Sequence, residues 1–108
     1  MKKIGFFLGV VFILIGAGFA YIQFKKSTVE KSVIDYLVTE ENIPKTEIAS
    51  SIPFIANLQG DKNWMVSIKL KDDDKTYYYY KHQGEIILES IVVNGREYSE
   101  KEYEELKE

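Results

Sequence analysis

The hydrophobic pattern divides the chain into one unbroken apolar run and a remainder in which apolar and polar residues alternate. Residues 4–24 carry no charged side chain, and the run is flanked by Lys2, Lys3, Lys25 and Lys26. A helix over these 21 residues is about 31 Å long, which matches the hydrocarbon core of a bilayer. The pattern therefore predicts a transmembrane anchor with basic flanks over residues 1–26, in contact with the lipid bilayer through residues 4–24.

The same run also has features of a cleaved signal peptide. A basic start precedes it, and Gly18 and Ala20 occupy the third and first positions before a cut that follows Ala20. The apolar segment of a signal peptide is usually only about 7–15 residues long, whereas this run continues to residue 24. We therefore favour a retained anchor, and secretion after cleavage near Ala20 is the alternative.

The orientation of the anchor depends on the length of the domain after the span, because lysines flank both ends of the span. Long C-terminal domains cross the membrane largely regardless of their charge. An early span of this kind predicts a single-pass protein of the cytoplasmic membrane with residues 27–108 outside.

Small residues form a stripe along one side of the predicted span. In a helical projection with 100° per residue, four of them fall within about 60° of one another. These are Gly5, Gly9, Gly16 and Ala20. Pairs of small residues four positions apart let two helix backbones approach closely in lipid, so the stripe predicts packing into a homodimer. The alternative is that glycine is simply common in membrane spans.

A helical pattern follows the apolar run. Apolar residues recur at positions 29, 33, 36 and 37, which is the stripe of an amphipathic helix. Ser27 and Glu30 have the spacing of a capping box and predict a helix start, whereas Asn42 and Pro44 predict its end. The pattern indicates a helix over residues 28–41, either separate from the span or continuous with it.

Strand patterns fill most of the remaining chain. Alternation and aromatic or β-branched runs predict about four strands, over residues 46–57, 64–71, 76–80 and 86–93. Pro53 lacks an N–H group and predicts an edge position for the first strand. Asn94 and Gly95 are typical of a hairpin turn.

The order of these elements predicts the α+β class for a small extracytoplasmic domain over residues 27–108. Ser99 and Glu102 have capping spacing and predict a short C-terminal helix over residues 100–107. We expect the amphipathic helix to pack on an antiparallel sheet, in the manner of cystatin-like or PepSY-like modules.

Two-residue turns at positions 73–74 and 83–84 would determine how the tyrosine-rich strand pairs. The expected pairs are Leu70 with Tyr77, Ile68 with Tyr79, Leu88 with Tyr79, and Ser90 with Tyr77. One face, which the helix would cover, is then apolar except for Ser90 and includes Trp64, Val66, Ile86 and Val92. The other face includes Met65, Lys69, Tyr78, Tyr80, His82, Ile87, Glu89, Ile91 and Val93. A slip of one residue in the first hairpin would turn Tyr78 and Tyr80 toward the helix instead.

Charge and composition narrow the function classes. Residues 27–108 contain 10 lysines and arginines and 17 acidic residues, a net charge of −7. An acidic domain argues against nucleic acid as a partner. The chain has no cysteine, which excludes disulfides, zinc–thiolate sites and a cysteine nucleophile.

No residue pattern predicts catalysis, and we expect the protein not to be an enzyme. Asp72, Asp73 and Asp74 lack the spacing of a calcium loop and are typical of a turn. His82 is the single histidine, with no nucleophile motif beside it. The sequence predicts no catalytic, metal-binding or cofactor-binding residue, and no cofactor.

The second face of the predicted sheet is the candidate partner site. Tyr78, Tyr80, Met65 and Ile87 would form a partly apolar surface on the side away from the helix. Such surfaces often mark a partner site, although the C-terminal segment or the membrane surface would also cover them. We therefore expect a non-enzymatic, membrane-anchored interaction module whose partner is an envelope protein or a peptide. A secreted, inhibitor-like domain is the alternative.

The order of motifs is similar to that of a known family. A lysine-led span, the helical Val29-Glu30-Lys31, the strand segment Thr76-Tyr77-Tyr78-Tyr79 and the Asn94-Gly95 turn carry the resemblance. The chain resembles the short single-span Firmicute proteins grouped as domain of unknown function thirty-one thirty-nine. The resemblance implies a small, exported, membrane-anchored protein and supplies no activity or functional residues.

Overall fold

One helix joins the apolar run to the domain. The computed structural model describes residues 2–107, so the terminal residues of the predicted segments 1–26 and 27–108 lie outside it. The helix α1 covers Lys2–Thr39, and its 38 residues make it about 57 Å long. The helix start predicted at Ser27 is wrong, and the alternative, a helix continuous with the apolar run, is confirmed, because the chain remains helical through Ser27. Glu30 does not close a capping box and instead accepts a hydrogen bond from Ser51 Oγ at 2.8 Å.

The second half of α1 carries the apolar stripe that packs on the sheet. Val29, Val33 and Leu37 are buried there, and Val33 has no exposed surface. The helix ends at Thr39, and Asn42, three residues later, adopts a left-handed conformation with φ of 56°. The Ile43 N–H then donates to the Leu37 carbonyl at 2.9 Å, which turns the chain back toward the sheet.

Five antiparallel strands form the sheet, one more than the sequence pattern predicted. Their order is sequential, β1-β2-β3-β4-β5. The bounds are Ile48–Ile55 for β1, Trp64–Leu70 for β2, Thr76–His82 for β3, Glu85–Val93 for β4 and Arg96–Tyr98 for β5. The fifth strand follows the hairpin turn at Asn94 and Gly95, both of which have positive φ. Pro53 lies in the edge strand β1, as expected.

The helix α1 covers one face of the sheet, which we call the covered face. The core there joins the α1 stripe to Val66 and Ile68 of β2 and Tyr79 of β3. The short helix α2, Glu100–Lys107, lies at the edge of the same face, where Glu100 and Tyr103 line a cavity of about 520 Å³ together with Leu37. Ser99 caps α2, since its Oγ accepts a hydrogen bond from the Glu102 N–H at 3.2 Å. The predicted C-terminal helix is confirmed.

The β2–β3 connection differs from the predicted two-residue turn. It spans residues 71–75, and Asp73 closes it by accepting hydrogen bonds from the Lys75 N–H at 2.9 Å and the Tyr77 hydroxyl at 2.8 Å. The longer loop shifts the pairing by two residues, so Tyr77 faces Ile68 and Tyr79 faces Val66. The predicted pairs were wrong, but a shift of two residues keeps the same side chains on each face.

A β-bulge between β3 and β4 changes which side chains of β4 lie on each face of the sheet. The predicted faces of β4 are therefore wrong beyond the bulge. Tyr79 faces Leu88, as predicted, but Tyr77 faces Ile91 rather than Ser90. Beyond the bulge, Ile91 and Val93 lie on the covered face, whereas Ser90 and Val92 lie on the other. Because of this extra residue in β4, Ile91 rather than Ser90 lies in the apolar core, where Ile91 is only 3% exposed.

Replacing Asp73 with alanine should destabilise the domain by about 1–3 kcal/mol at neutral pH, because three donors lose a charged acceptor. The third donor is the Lys75 ammonium, 2.9 Å from Asp73 Oδ1. The matched control is Asp74→Ala, whose side chain is 73% exposed. Denaturant unfolding followed by Trp64 fluorescence measures both variants, and equal stabilities would contradict the role of Asp73.

The destabilisation should also depend on pH. Burial raises the pKa of Asp73, but the hydrogen bonds from Lys75 and Tyr77 outweigh it and hold the pKa below its ordinary value of 3.8. The carboxylate therefore stabilises the fold above that value, and its contribution is lost as the pH falls through the lowered pKa. The stabilities of the parent chain and Asp73→Ala should converge in acid.

Candidate functional site

The second face of the sheet is a mixed apolar and aromatic surface, which we call the uncovered face. Neither α1 nor α2 packs on it, and the segment after β1 reaches its margin through Leu58 and Lys62. One row across the strands consists of Phe54, Met65, Tyr80 and Ile87. The next row consists of Ile52, Ser67, Tyr78 and Ser90. The four residues predicted as a partner face thus lie on one side of the sheet, and a partner for them stays a prediction.

Two rings form the centre of the uncovered face. The Phe54 ring meets the Tyr78 ring edge-to-face, with centroids 5.9 Å apart. They line a shallow pocket of about 240 Å³ that Leu58 and Val92 also border. The rim of the pocket is mixed, since Leu58, which is 47% exposed, lines it together with Glu89 and Glu97. Ile52, which is 57% exposed, adds apolar surface in the row of Tyr78.

The predicted residues contribute unequally to this surface. Met65 is only 5% exposed and Ser90 is 6% exposed. Met65 therefore forms part of the floor and offers little area to a partner. Tyr78, Tyr80 and Ile87 are half-buried, with part of each side chain open to solvent.

Charges at the rim differ from the expected arrangement. The predicted pairs would place Tyr78 opposite Lys69, but in the structure Tyr78 pairs with Ser67 and Ser90. Lys62 lies over Tyr80 instead, 5.9 Å from the ring centroid. Lys62 comes from the 3₁₀ turn Gly60–Asn63, which the sequence indicated only as a turn.

The sequence pattern also missed the contribution of β1 and the loop after it. Phe54 alternates with Pro53, and the irregular pattern around this proline hid the two-residue period of the strand. Since Pro53 faces the covered side opposite Val66, its neighbours Ile52 and Phe54 point the other way. That alternation was the signal available in the sequence.

The structure brings the single histidine next to a carboxylate. His82 Nδ1 lies 2.7 Å from Asp61 Oδ2, a contact across 21 positions that no sequence motif indicated. The two side chains are 50% and 46% exposed. Within the described residues the Nε2 atom of His82 has no hydrogen-bond partner. Exposed pairs of this kind contribute about 0–1 kcal/mol to stability.

In the turn at residues 72–74, the Asp73 and Asp74 carboxylates point in different directions. Asp73 is engaged with Lys75 and Tyr77, whereas Asp74 points outward, 3.8 Å from the Lys75 ammonium. No group of three or more His, Cys, Asp or Glu side chains within residues 2–107 has the arrangement of a metal site.

The glycine stripe lies on an exposed part of α1. The described part of the chain has one helix long and apolar enough to cross a membrane, a test that a signal sequence also passes, and its most apolar window is 0% buried. An added Cβ at Gly5, Gly9 or Gly16 meets no atom within 4 Å, and Ala20 is exposed as well. The stripe is thus free to pack against a second helix.

Replacing Gly9 with leucine should weaken self-association of the span, because the added side chain separates two helix backbones. The control is Gly18→Leu, since Gly18 lies about 180° from Gly9 around the helix. A genetic reporter of membrane-helix association compares the two with the parent span. Equal signals from all three would show that the glycines are only background composition.

No protein-family model, curated protein or solved structure matches this chain. The fold is therefore described by its own architecture, an α+β domain in which a long N-terminal helix packs on a five-stranded antiparallel sheet. The cystatin-like or PepSY-like shape and the resemblance to domain of unknown function thirty-one thirty-nine stay predictions.

Proposed function

We propose that this protein is a membrane-anchored, non-enzymatic interaction module of the bacterial cell envelope. Its span remains in the cytoplasmic membrane, its domain lies outside, and its uncovered face binds an envelope protein or a secreted peptide. The observation that carries the proposal is the exposed aromatic and apolar surface around Phe54 and Tyr78, on a domain that α1 joins directly to an apolar span.

The composition of the uncovered face supports binding. Tyrosine and phenylalanine supply large contact areas and are enriched at protein interfaces. The pocket between Phe54 and Tyr78 is floored by Met65, whose thioether adapts to different apolar partners. Lys62 and Glu89 lie at the rim, 3.4 Å apart, where charged groups favour correct orientation of a partner.

The helix α1 supports anchoring. The apolar window of the helix is 0% buried and has a mean hydropathy of 2.3. A helix of this length and composition is stable in lipid, because its backbone groups are hydrogen-bonded within the segment. Since α1 continues into the domain without a break, the uncovered face is carried at a fixed distance from the membrane.

Single-cysteine crosslinking tests the binding face and the orientation together. The chain has no native cysteine, so Ile52→Cys introduces a unique thiol on the uncovered face. A membrane-impermeant maleimide photocrosslinker is added to wall-stripped cells that produce the full chain. We expect a discrete crosslinked product that the additional substitution Tyr78→Ala abolishes.

The matched control is Lys31→Cys, on the exposed side of α1. This thiol should be labelled by the same reagent but give no discrete product. Labelling of both thiols without a product at Ile52 would contradict binding by the uncovered face. Labelling only after the cells are permeabilised would contradict the proposed orientation.

The intact mass of the chain distinguishes the anchored protein from the secreted alternative. An anchored chain is recovered from the membrane fraction with its apolar run present. A chain that begins at Tyr21 and is found in the medium would instead support a secreted, inhibitor-like domain.

A further inference from the structure

The end of the domain nearest the apolar span is built around an aromatic contact with that span. Tyr21, within the apolar run, meets Trp64 at the start of β2 edge-to-face, with ring centroids 6.4 Å apart. Tyr21 precedes Lys25 by one helical turn, about 6 Å along the axis. The domain therefore does not stand above the end of the apolar run but reaches down beside its last turn.

Another exposed apolar residue lies at the same end. Ile55 closes β1 opposite Trp64 and is 38% exposed. The loop that follows folds back onto the uncovered face, where Leu58 lines the pocket beside Tyr78. Trp64 and Ile55 therefore form an apolar pair at the end of the domain that lies beside the span.

Lysines border this apolar end. Lys25 lines a cleft of about 220 Å³ together with Trp64 and Asp61. Lys62 projects from the adjacent 3₁₀ turn, with a side chain that is 47% exposed. Aromatic rings at the level of lipid head groups and lysines that extend from there toward water are the usual composition of a membrane–water interface.

We propose that Trp64 and Ile55 insert into the head-group region of the bilayer that holds α1. The partner of this surface is lipid, because the covalent continuity of α1 places it at the depth where the span leaves the hydrocarbon. This inference rests on the anchoring proposed above. Contact through both α1 and this second site fixes the tilt of the domain, so the strands of the uncovered face run outward from the membrane surface.

The single tryptophan of the chain reports directly on this contact. The full-length protein is reconstituted into phosphatidylcholine vesicles, and co-flotation with the vesicles first establishes insertion. Quenching of Trp64 fluorescence is then measured with lipids spin-labelled on the head group and with lipids brominated near the bilayer centre. We expect the head-group label to remove about half of the emission and the deep label much less, as for tryptophan at an interface.

A tryptophan at the far end of the sheet provides the control. In the double variant Trp64→Phe and Arg96→Trp, the indole lies about 20 Å further along the strands. It should be quenched by aqueous acrylamide and not by either lipid. Ile55→Glu should reduce the head-group quenching of Trp64, whereas Leu106→Glu, on exposed α2, should not change it.

The outcomes of these experiments distinguish the lipid contact proposed here from the membrane anchor proposed above. If the protein floats with the vesicles but Trp64 is quenched only from the aqueous phase, the lipid contact is wrong and the anchor stands. If Ile55→Glu leaves the quenching unchanged, Ile55 does not contact lipid and the proposed two-residue contact is overturned. If the protein does not float with the vesicles, both the anchor and the lipid contact are wrong.

Discussion

Replacing Tyr79 with alanine should lower the free energy of unfolding of the domain by several kcal/mol. Tyr79 is 9% exposed and lies in the centre of β3, between Val66 and Leu88, with its ring 6.4 Å from that of Tyr36. Truncation of a large buried aromatic side chain costs about 3–5 kcal/mol. A domain of this size has about 4–12 kcal/mol of total stability, so the loss removes from about a quarter to all of it.

Thermal unfolding followed by circular dichroism measures this effect on a chain that begins at Lys25, which retains every core residue. The matched control is Tyr79→Phe, which keeps the ring and removes only the hydroxyl. It should unfold within about 1 kcal/mol of the parent chain, because that hydroxyl makes no hydrogen bond within the described residues. Comparable damage from both substitutions would show that the hydroxyl, not the ring, stabilises the core.

Alanine substitutions at the two neighbouring tyrosines should destabilise the domain less than Tyr79→Ala does. Tyr78→Ala and Tyr80→Ala should each leave a folded domain, since both side chains are half-buried on the uncovered face. Tyr78→Ala should cost more than a surface change, because its ring covers Met65 and contacts Phe54. If Tyr78→Ala proves more damaging than Tyr79→Ala, the assignment of the two faces is wrong.

Replacing Val33 with aspartate should destabilise the domain without preventing insertion of the span. Val33 has no exposed surface and packs in the centre of the helix–sheet core. An unpaired buried charge costs about 3–5 kcal/mol, and the lost apolar burial adds to this. Val33→Asp should therefore unfold the domain while the apolar run still inserts into the membrane.

Limited proteolysis of the full chain in vesicles measures that separation. With Val33→Asp, a protease should degrade residues 40–106 rapidly and leave a protected fragment that contains the span. The control is Lys31→Asp on the exposed side of the same helix, which should resist digestion as the parent chain does. Equal resistance of Val33→Asp would contradict the position of Val33 in the core.

The local elements of this protein follow from local patterns in its sequence. The run of residues 4–24, the stripe at Val29, Val33 and Leu37, the alternation of β2 and the cap at Ser99 each specify their element within a few residues. Such periodicities are determined by which side of a helix or strand is apolar, and neighbouring positions decide that.

The register of the sheet depended on interactions that no local pattern contains. Asp73 closes a five-residue loop by binding Tyr77, and this contact moves the β2–β3 pairing by two residues. The bulge beside Tyr79 places Ile91 rather than Ser90 in the core. The free energy of the assembled core determines both the β2–β3 register and the bulge, because a strand pattern with a period of two residues fits several registers equally well.

The sequence by itself determined the anchor-like run, the α+β class, and the assignment of Tyr78 and Tyr80 to the face away from the helix. Only the tertiary structure decided that α1 is continuous, that Phe54 and Leu58 complete the uncovered face, and that Trp64 meets Tyr21. The physical reason is distance along the chain. Residues more than 20 positions apart come together only when the sheet and α1 pack against each other. Their spacing in the sequence therefore does not predict that contact.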